Sequence, residues 1–179
     1  NRYEEANALS NLANVYASQD KSEEAIESYQ QALTIEEALA NRRAEGRTVG
    51  NLATIHAAQG QTSDALAEYE QAQQIAQECE DRRAEACWLR NIGLIHLQNG
   101  DVERGIEYYE KQWPIIKEID DRKGQAITSR QLASAYHETK QFEKAIKHYQ
   151  GARNFVRRMG TKEEETEILL AWAQAAEAV

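Results

Sequence analysis

Proline is nearly missing from this chain, with one residue in 179, and cysteine is scarce, with two. Runs of β-branched residues that would argue for sheet are also rare. No apolar run is long enough to span a bilayer, and no basic segment followed by an apolar one opens the chain as a leader. Positive charge is short: the formal net charge is −9 and the pI about 5.0. Nucleic-acid binding through phosphate contacts needs the opposite sign, and an anionic membrane surface is disfavoured for the same reason. Cys79 and Cys87 have no ligand-like spacing, which suits free thiols in a reducing, cytoplasmic setting. The chain opens on Asn1 instead of methionine, as a segment of a longer protein would.

What the chain has is helix-forming material. Hydrophobic residues make up 41%, many of them alanine, and alanine, glutamate, glutamine and leucine all favour helix. The order of these residues repeats every forty positions. Leu12, Leu52, Ile92 and Leu132 form one column, continued by Trp172. Ala13, Ala53, Gly93 and Ala133 follow directly. Tyr16, His56, His96 and Tyr136 form another, as do Ala25, Ala65, Gly105 and Ala145. Tyr29, Tyr69, Tyr109 and Tyr149 recur, and Ile35, Ile75, Ile115 and Phe155 close the set. A gapless period of this length marks a solenoid.

Each period reads as two helices. Leu9, Leu12, Ala13 and Tyr16 stand at i, i+3, i+4 and i+7, which makes one apolar stripe. Ala25, Ile26, Tyr29, Ala32 and Leu33 make a second. Gly60 and Gly100 suit helix ends, while Ser22, Thr62 and Asp101 suit the starts of second helices. Asn41, Asp81 and Asp121 suit the starts of the next first helices. Gly160 reads as a stop, followed by Thr161 and Glu164 as a capping box. Small residues in the Ala13 and Ala25 columns let paired helices approach closely. Gln112, Trp113 and Pro114 break the third repeat's pattern, and Pro114 predicts a kink or break in that helix. Trp113 marks a possible partner surface there.

Leu-Ala/Gly-x-x-Tyr/His, then Gly, then Ala-x-x-x-Tyr-x-x-Ala resembles the tetratricopeptide repeat. HEAT and armadillo repeats have similar periods but do not place Gly/Ala and Tyr in these columns. The forty-residue spacing is similar to the long-helix subclass of kinesin light chains, Pins-type scaffolds and bacterial signalling proteins. The resemblance implies an all-α, right-handed α-solenoid of antiparallel helix hairpins. It places repeats at about 4–43, 44–83, 84–123 and 124–163, with a terminal helix at 164–179, in a single array. That last helix either covers the fourth repeat or begins a fifth.

No catalytic set emerges. His56 and His96 sit in the tyrosine column, where a core histidine is the simpler reading than a metal pair. Cys87 has no histidine at fixed helical spacing, and the glycines recur at turns instead of forming a phosphate loop. The expectation is a non-enzyme without metal or cofactor.

In the resembled family, stacked first helices line a concave groove. On that face the chain carries Asn7, Ser10, Asn11, Asn14, Arg47, Gly50, Asn51 and Thr54, then Cys87, Arg90, Asn91, Leu94 and Leu97. Ile127, Arg130, Gln131, Ser134 and His137 continue it, with Glu167, Leu170 and Gln174 last. Asn11, Asn51, Asn91 and Gln131 form an amide column able to donate to and accept from a peptide backbone, similar to asparagine columns of kinesin light chains. Arg47, Arg90 and Arg130 add cations that pair with carboxylates. Leu94, Leu97, Ile127 and Leu170 make the later half more apolar. The expected partner is therefore a protein or peptide segment with acidic residues. The chaperone-tail clamp of other tetratricopeptide domains is not expected: Ser10 replaces its lysine, and Cys87 and Asn91 replace its last cations. The Pins-type Leu-Gly-Asn signature survives only as Leu12-Ala13-Asn14. Other readings are a sensor module of a larger signalling protein and self-association through the terminal helix.

Overall fold

The computed structural model describes residues 1–159 and 162–177, with the side chains of 158, 159, 162–165 and 167 left aside. Expectations for Gly160, for the Thr161–Glu164 capping box and for Glu167 fall outside the described residues. The described chain is all helix: α1 (Arg2–Ser18), α2 (Ser22–Ala38), α3 (Arg42–Ala58), α4 (Thr62–Glu78), α5 (Arg82–Gln98), α6 (Val102–Glu118), α7 (Arg122–Glu138), α8 (Phe142–Met159) and α9 (Lys162–Glu177). First helices start at 2, 42, 82, 122 and 162, and second helices at 22, 62, 102 and 142, so the forty-residue period is kept throughout. The architecture is a helical-repeat solenoid of two compact units, Asn1–Trp88 and Leu89–Val179.

The turns follow from cap chemistry. Asn41, Asp81 and Asp121 each accept a hydrogen bond from the backbone N–H three residues on, as their column predicts. Asn1, in the same register, accepts from Tyr3 N. Of the residues expected to cap second helices, only Asp101 does so, accepting from Arg104 N. Ser22 and Thr62 are instead the first helical residues; Lys21 and Gln61 hold the cap positions and offer no side-chain bond. Only aspartate in that column has an oxygen at the right reach. Gly60 and Gly100 end their helices at φ +76° and +77°, a left-handed conformation that suits residues without Cβ.

Cores are built from the small and aromatic columns. Ala13, Ala53 and Ala133 are fully buried, as are Ala25, Ala65 and Ala145. In the third repeat both become glycine. A Cβ on Gly93 would sit 3.2 Å from the Tyr109 ring and 3.3 Å from the Gly105 carbonyl oxygen, so the paired helices pass at backbone contact there. In the unit from Leu89 onward, one cluster joins Val102, Ile106 and Tyr109 of α6, Leu132 and Tyr136 of α7, Ala145 and Tyr149 of α8, and Ile168 and Ala175 of α9. The Leu12 column is not uniformly core: Leu52, Ile92 and Leu132 are buried, whereas Leu12 is 42% exposed. No described helix precedes α1 to cover it.

Pro114 does not break its helix. α6 runs uninterrupted from Val102 to Glu118. Pro114 and Glu110, whose carbonyl loses its donor, are both exposed, so water can serve that carbonyl. Gln112, at a position occupied by alanine in the other repeats, is buried and accepts from Thr128 Oγ1 at 2.8 Å.

Candidate functional site

The amide and arginine columns gather first in the unit Asn1–Trp88. Asn11 and Asn14 of α1 and Arg47 and Asn51 of α3 line one cleft of about 310 Å³. Its other walls are polar too, with Asn7, Ser10, Asn41 and Thr48 among them. Helical spacing explains the assembly: 7, 11 and 14 share one face of α1, and 44, 47, 48 and 51 share one face of α3.

Several of these groups are already engaged. Tyr29 donates its hydroxyl to Asn14 Oδ1 at 2.5 Å, and burial raises the Tyr29 pKa while Asn51 pulls it the other way. The next tyrosine in the column repeats the arrangement, with Tyr69 OH 2.8 Å from Thr54 Oγ1. These bonds tie second helices to first helices. Arg47 Nη2 lies 3.6 Å from Asp81 Oδ2, and Arg43 Nε 3.9 Å from the same oxygen. Arg47 is nonetheless largely exposed, so screening leaves this ion pair weak. Gly50, placed by its spacing on the inner face, is buried instead, because a Cβ there would run into the Trp88 ring.

At the floor of the cleft stands Glu36, which the groove pattern did not include. It is 2% exposed. Its Oε1 lies 3.4 Å from Ser10 Oγ, which in turn is 3.5 Å from Thr48 Oγ1. Its Oε2 has no hydrogen-bond partner. Burial pushes the carboxyl pKa up; the Thr48 and Ser10 hydroxyls oppose this, and the nearby Glu45 carboxylate adds to it. The signal was in the column: positions 36, 76, 116 and 156 read Glu, Ala, Ile, Val. One carboxyl stands where the other repeats put apolar residues.

In the unit from Leu89 onward the remaining residues divide. Arg90 and Asn91 are half-buried neighbours, with Arg90 Nη2 3.5 Å from Asn91 Oδ1. Leu94, Ile127 and Gln131 are half-buried, and Arg130 is exposed. Leu94 stands in the column of Asn14 and Thr54, so this repeat has an apolar side chain at the position that bonds the tyrosine hydroxyl in the first two. Burial pushes Tyr109 up to about 12, partly offset by the Arg90 charge. Leu97 and His137 turn toward the second helices of their own hairpins. Leu97 fills the space above Gly105, and His137 meets the Phe142 ring edge-on at 5.6 Å.

The histidines of the tyrosine column have carboxylate partners. His56 Nδ1 is 2.7 Å from Glu68 Oε2, and His96 Nδ1 is 3.4 Å from Asp101 Oδ2. Among the described residues no cluster of three or more His, Cys, Asp or Glu side chains could hold a metal ion. None of the described helices is long and apolar enough to cross a membrane.

Comparison with known proteins bears on the fold. The tetratricopeptide repeat pattern matches residues 4–78 and 84–158, and a second tetratricopeptide pattern matches 51–112. No curated protein matches the chain in sequence. Among solved structures, aspartyl phosphate phosphatase F from Bacillus subtilis superimposes with a TM-score of 0.87 at 16% identity. The match covers 99% of this chain and 48% of that one. A signal transduction ATPase with a tetratricopeptide repeat sensor from Pyrococcus horikoshii gives 0.84 at 20% identity, over 98% of this chain and 27% of that one. Nearly identical repeats of a protein described as a kinesin light chain from Podosopora anserina give 0.74 at 18% identity, over 96% and 85%. This chain thus spans about half, or less, of the first two. Identities this low carry the fold alone. With two matched segments that together span most of its length, the chain belongs to the tetratricopeptide repeat family.

Proposed function

We propose that this chain is a non-catalytic interaction scaffold whose four repeats and last helix act as one array, holding an extended, acidic peptide segment along its first helices. The observation that carries the reading is the convergence of Asn11, Asn14, Arg47 and Asn51 on one cleft of about 310 Å³. A carboxamide both donates and accepts, so spaced amides grip a backbone without reading its side chains. Exposed arginines supply selectivity for carboxylates. In the later unit Asn91 and Gln131 continue the amide column, Arg90 and Arg130 the charge, and Leu94 and Ile127 the apolar contact. Leu97 and His137 serve mainly to brace their hairpins, given the contacts they make.

The test is charge reversal. Acidic peptides selected on the chain by display should lose affinity when Arg90→Glu and Arg130→Glu are combined, with helical circular dichroism unchanged. Unaltered affinity in a folded double variant would remove the groove assignment. A second reading, a sensor region within a larger regulatory protein, draws on the likeness to a structure described as carrying a tetratricopeptide repeat sensor. It is compatible with the first, because a sensor of this architecture also works by holding a partner.

A further inference from the structure

The second helices differ sharply in charge. α2 carries five glutamates and no cation, whereas α8 carries Lys144, Lys147, Arg153, Arg157 and Arg158 against Glu143 alone. In a chain of net charge −9, α8 is a cationic element. Beside it lie two adjoining clefts of about 450 and 400 Å³, between α6 and α8 with α7 as the floor. Both are lined by Trp113, Ser129 and Gly151.

Two departures from the repeat open this groove. Position 151 is glycine where the first three repeats have Gln31, Gln71 and Lys111, so position 151 itself sends no side chain into the cleft beside the buried Ser129. Position 113 is tryptophan where the first two repeats have Leu33 and Gln73. Trp113 is half-buried and meets the His148 ring edge-on at 5.4 Å, while His148 stacks on Tyr136 at 5.6 Å. Phe155 and Ala126 extend the apolar wall. The rim is cationic, with Arg122 and Lys147 both exposed. Glu110 is the one carboxylate among the lining residues, and it is occupied as acceptor of the Tyr136 hydroxyl. Arg122 has the exposed Asp120 beside it at 2.6 Å, a pair that solvent keeps exchangeable.

We propose that this groove between α6 and α8 is a second docking site, for an acidic segment that inserts one bulky apolar side chain beside Trp113. Clefts of this volume suit one or two large side chains, and a fixed aromatic anchor ringed by charge is the usual composition of an interaction hot spot. The carboxylates of the segment meet Lys147, Arg122 and the exposed Lys144 and Arg157 of α8. The site is independent of the first-helix groove, since none of its lining residues belongs to the amide or arginine columns.

The test uses the full chain and a fluorescein-labelled probe, Glu-Asp-Glu-Leu-Phe-Glu-Asp-Glu, followed by fluorescence anisotropy. Gly151→Gln restores the residue of the first two repeats and closes the cleft without removing any core group. It should weaken the probe by about tenfold or more, with helical circular dichroism unchanged and Ser129 shifting by a few tenths of an ångström to admit the new Cβ. Replacing Leu-Phe by Ser-Ser in the probe should weaken it similarly, and Lys147→Glu should weaken it further at low salt. The Arg90→Glu, Arg130→Glu variant should keep the part of the probe binding that Gly151→Gln removes, whatever the first-helix groove adds in the wild type. The proposal is overturned if Gly151→Gln binds the probe unchanged, or if a Lys-for-acid version binds equally well. It is also overturned if only the Arg90, Arg130 variant loses binding, which would put the probe in the first-helix groove. Sedimentation showing that the groove is covered by a second copy, with self-association abolished by Gly151→Gln, overturns it as well.

Discussion

The hairpins α1–α2 and α7–α8 use the same columns, yet they are not buried alike. Leu132 and Tyr136 are 1% and 2% exposed, whereas Leu12 is 42% exposed and Tyr16 half-buried. Val15 is 49% exposed, while Ala135 in its column is buried. The difference is the neighbour. α7 is covered by α6 on one side and by α8 and α9 on the other, whereas among the described residues α1 packs on α2 and α3. A repeat's own sequence sets its hairpin; the adjoining repeat decides how much that hairpin contributes to stability. The small columns, which face the partner helix inside one hairpin, escape this rule: Ala13 and Ala133 are equally buried.

That contrast can be broken by truncation. Leu132→Ala should cost about 2–5 kcal/mol in chemical denaturation, as for a core leucine. Leu12→Ala should cost less than about 1 kcal/mol, as surface changes do. Equal losses would mean that α1 is covered in solution. Overpacking should ignore position in the chain. Ala65→Leu and Ala145→Leu, both at fully buried sites, should each destabilise by about 1–3 kcal/mol.

Two titrating groups sharpen the same comparison, one in each unit. His148 has its pKa lowered, first by burial and then by Lys147, with Glu110 opposing. A depressed base favours folding above the ordinary histidine pKa of about 6.5, and that stability is lost as pH falls through the folded value. The drop in melting temperature between neutral and mildly acidic pH should therefore shrink in His148→Phe. Glu36 has its pKa raised by burial. Its contribution is present below the ordinary glutamate range and lost as pH rises through the folded value. Glu36→Gln should accordingly gain in melting temperature at neutral pH relative to acidic pH; a gain equal at both would deny the buried-carboxyl account.

The smallest effect concerns the turns. Ala40 sits at φ 51° between α2 and α3, where an L side chain is strained. Ala40→Gly should stabilise by about 0.5–1 kcal/mol, the relief of left-handed strain less the added chain entropy. Gly100→Ala, at φ +77°, should move stability the opposite way by a similar amount.

The period, the helix pairs, the caps at Asn41, Asp81 and Asp121 and the small columns were legible in the sequence because each is a local rule repeated at fixed spacing. What was not legible depends on departures from the repeat or on neighbours. Leu12 fits its column and is still exposed, because no residue of α1 encodes what lies beyond it. Gly50 was read as inner surface because spacing cannot show the Trp88 ring above it. Ser22 and Thr62 were one residue too late to cap, since the turn fixes the cap at Lys21 and Gln61. The proline in α6 suggested a kink or break, yet the helix runs through it with Glu110 and Pro114 both exposed. Glu36 could have been found by reading its column for the odd carboxyl, and the cleft at Gly151 by reading its column for the missing side chain.

The central claim is that carboxamides along the first helices hold a peptide backbone, and the side-chain NH₂ signals of asparagine and glutamine report on this in a ¹⁵N–¹H spectrum. On titration with a display-selected acidic peptide, the signals of Asn11, Asn51, Asn91 and Gln131 should shift together, along one saturation curve. Saturable binding that leaves these four in place, and moves instead the second-helix amides such as Gln30, Gln71 and Gln150, would contradict it.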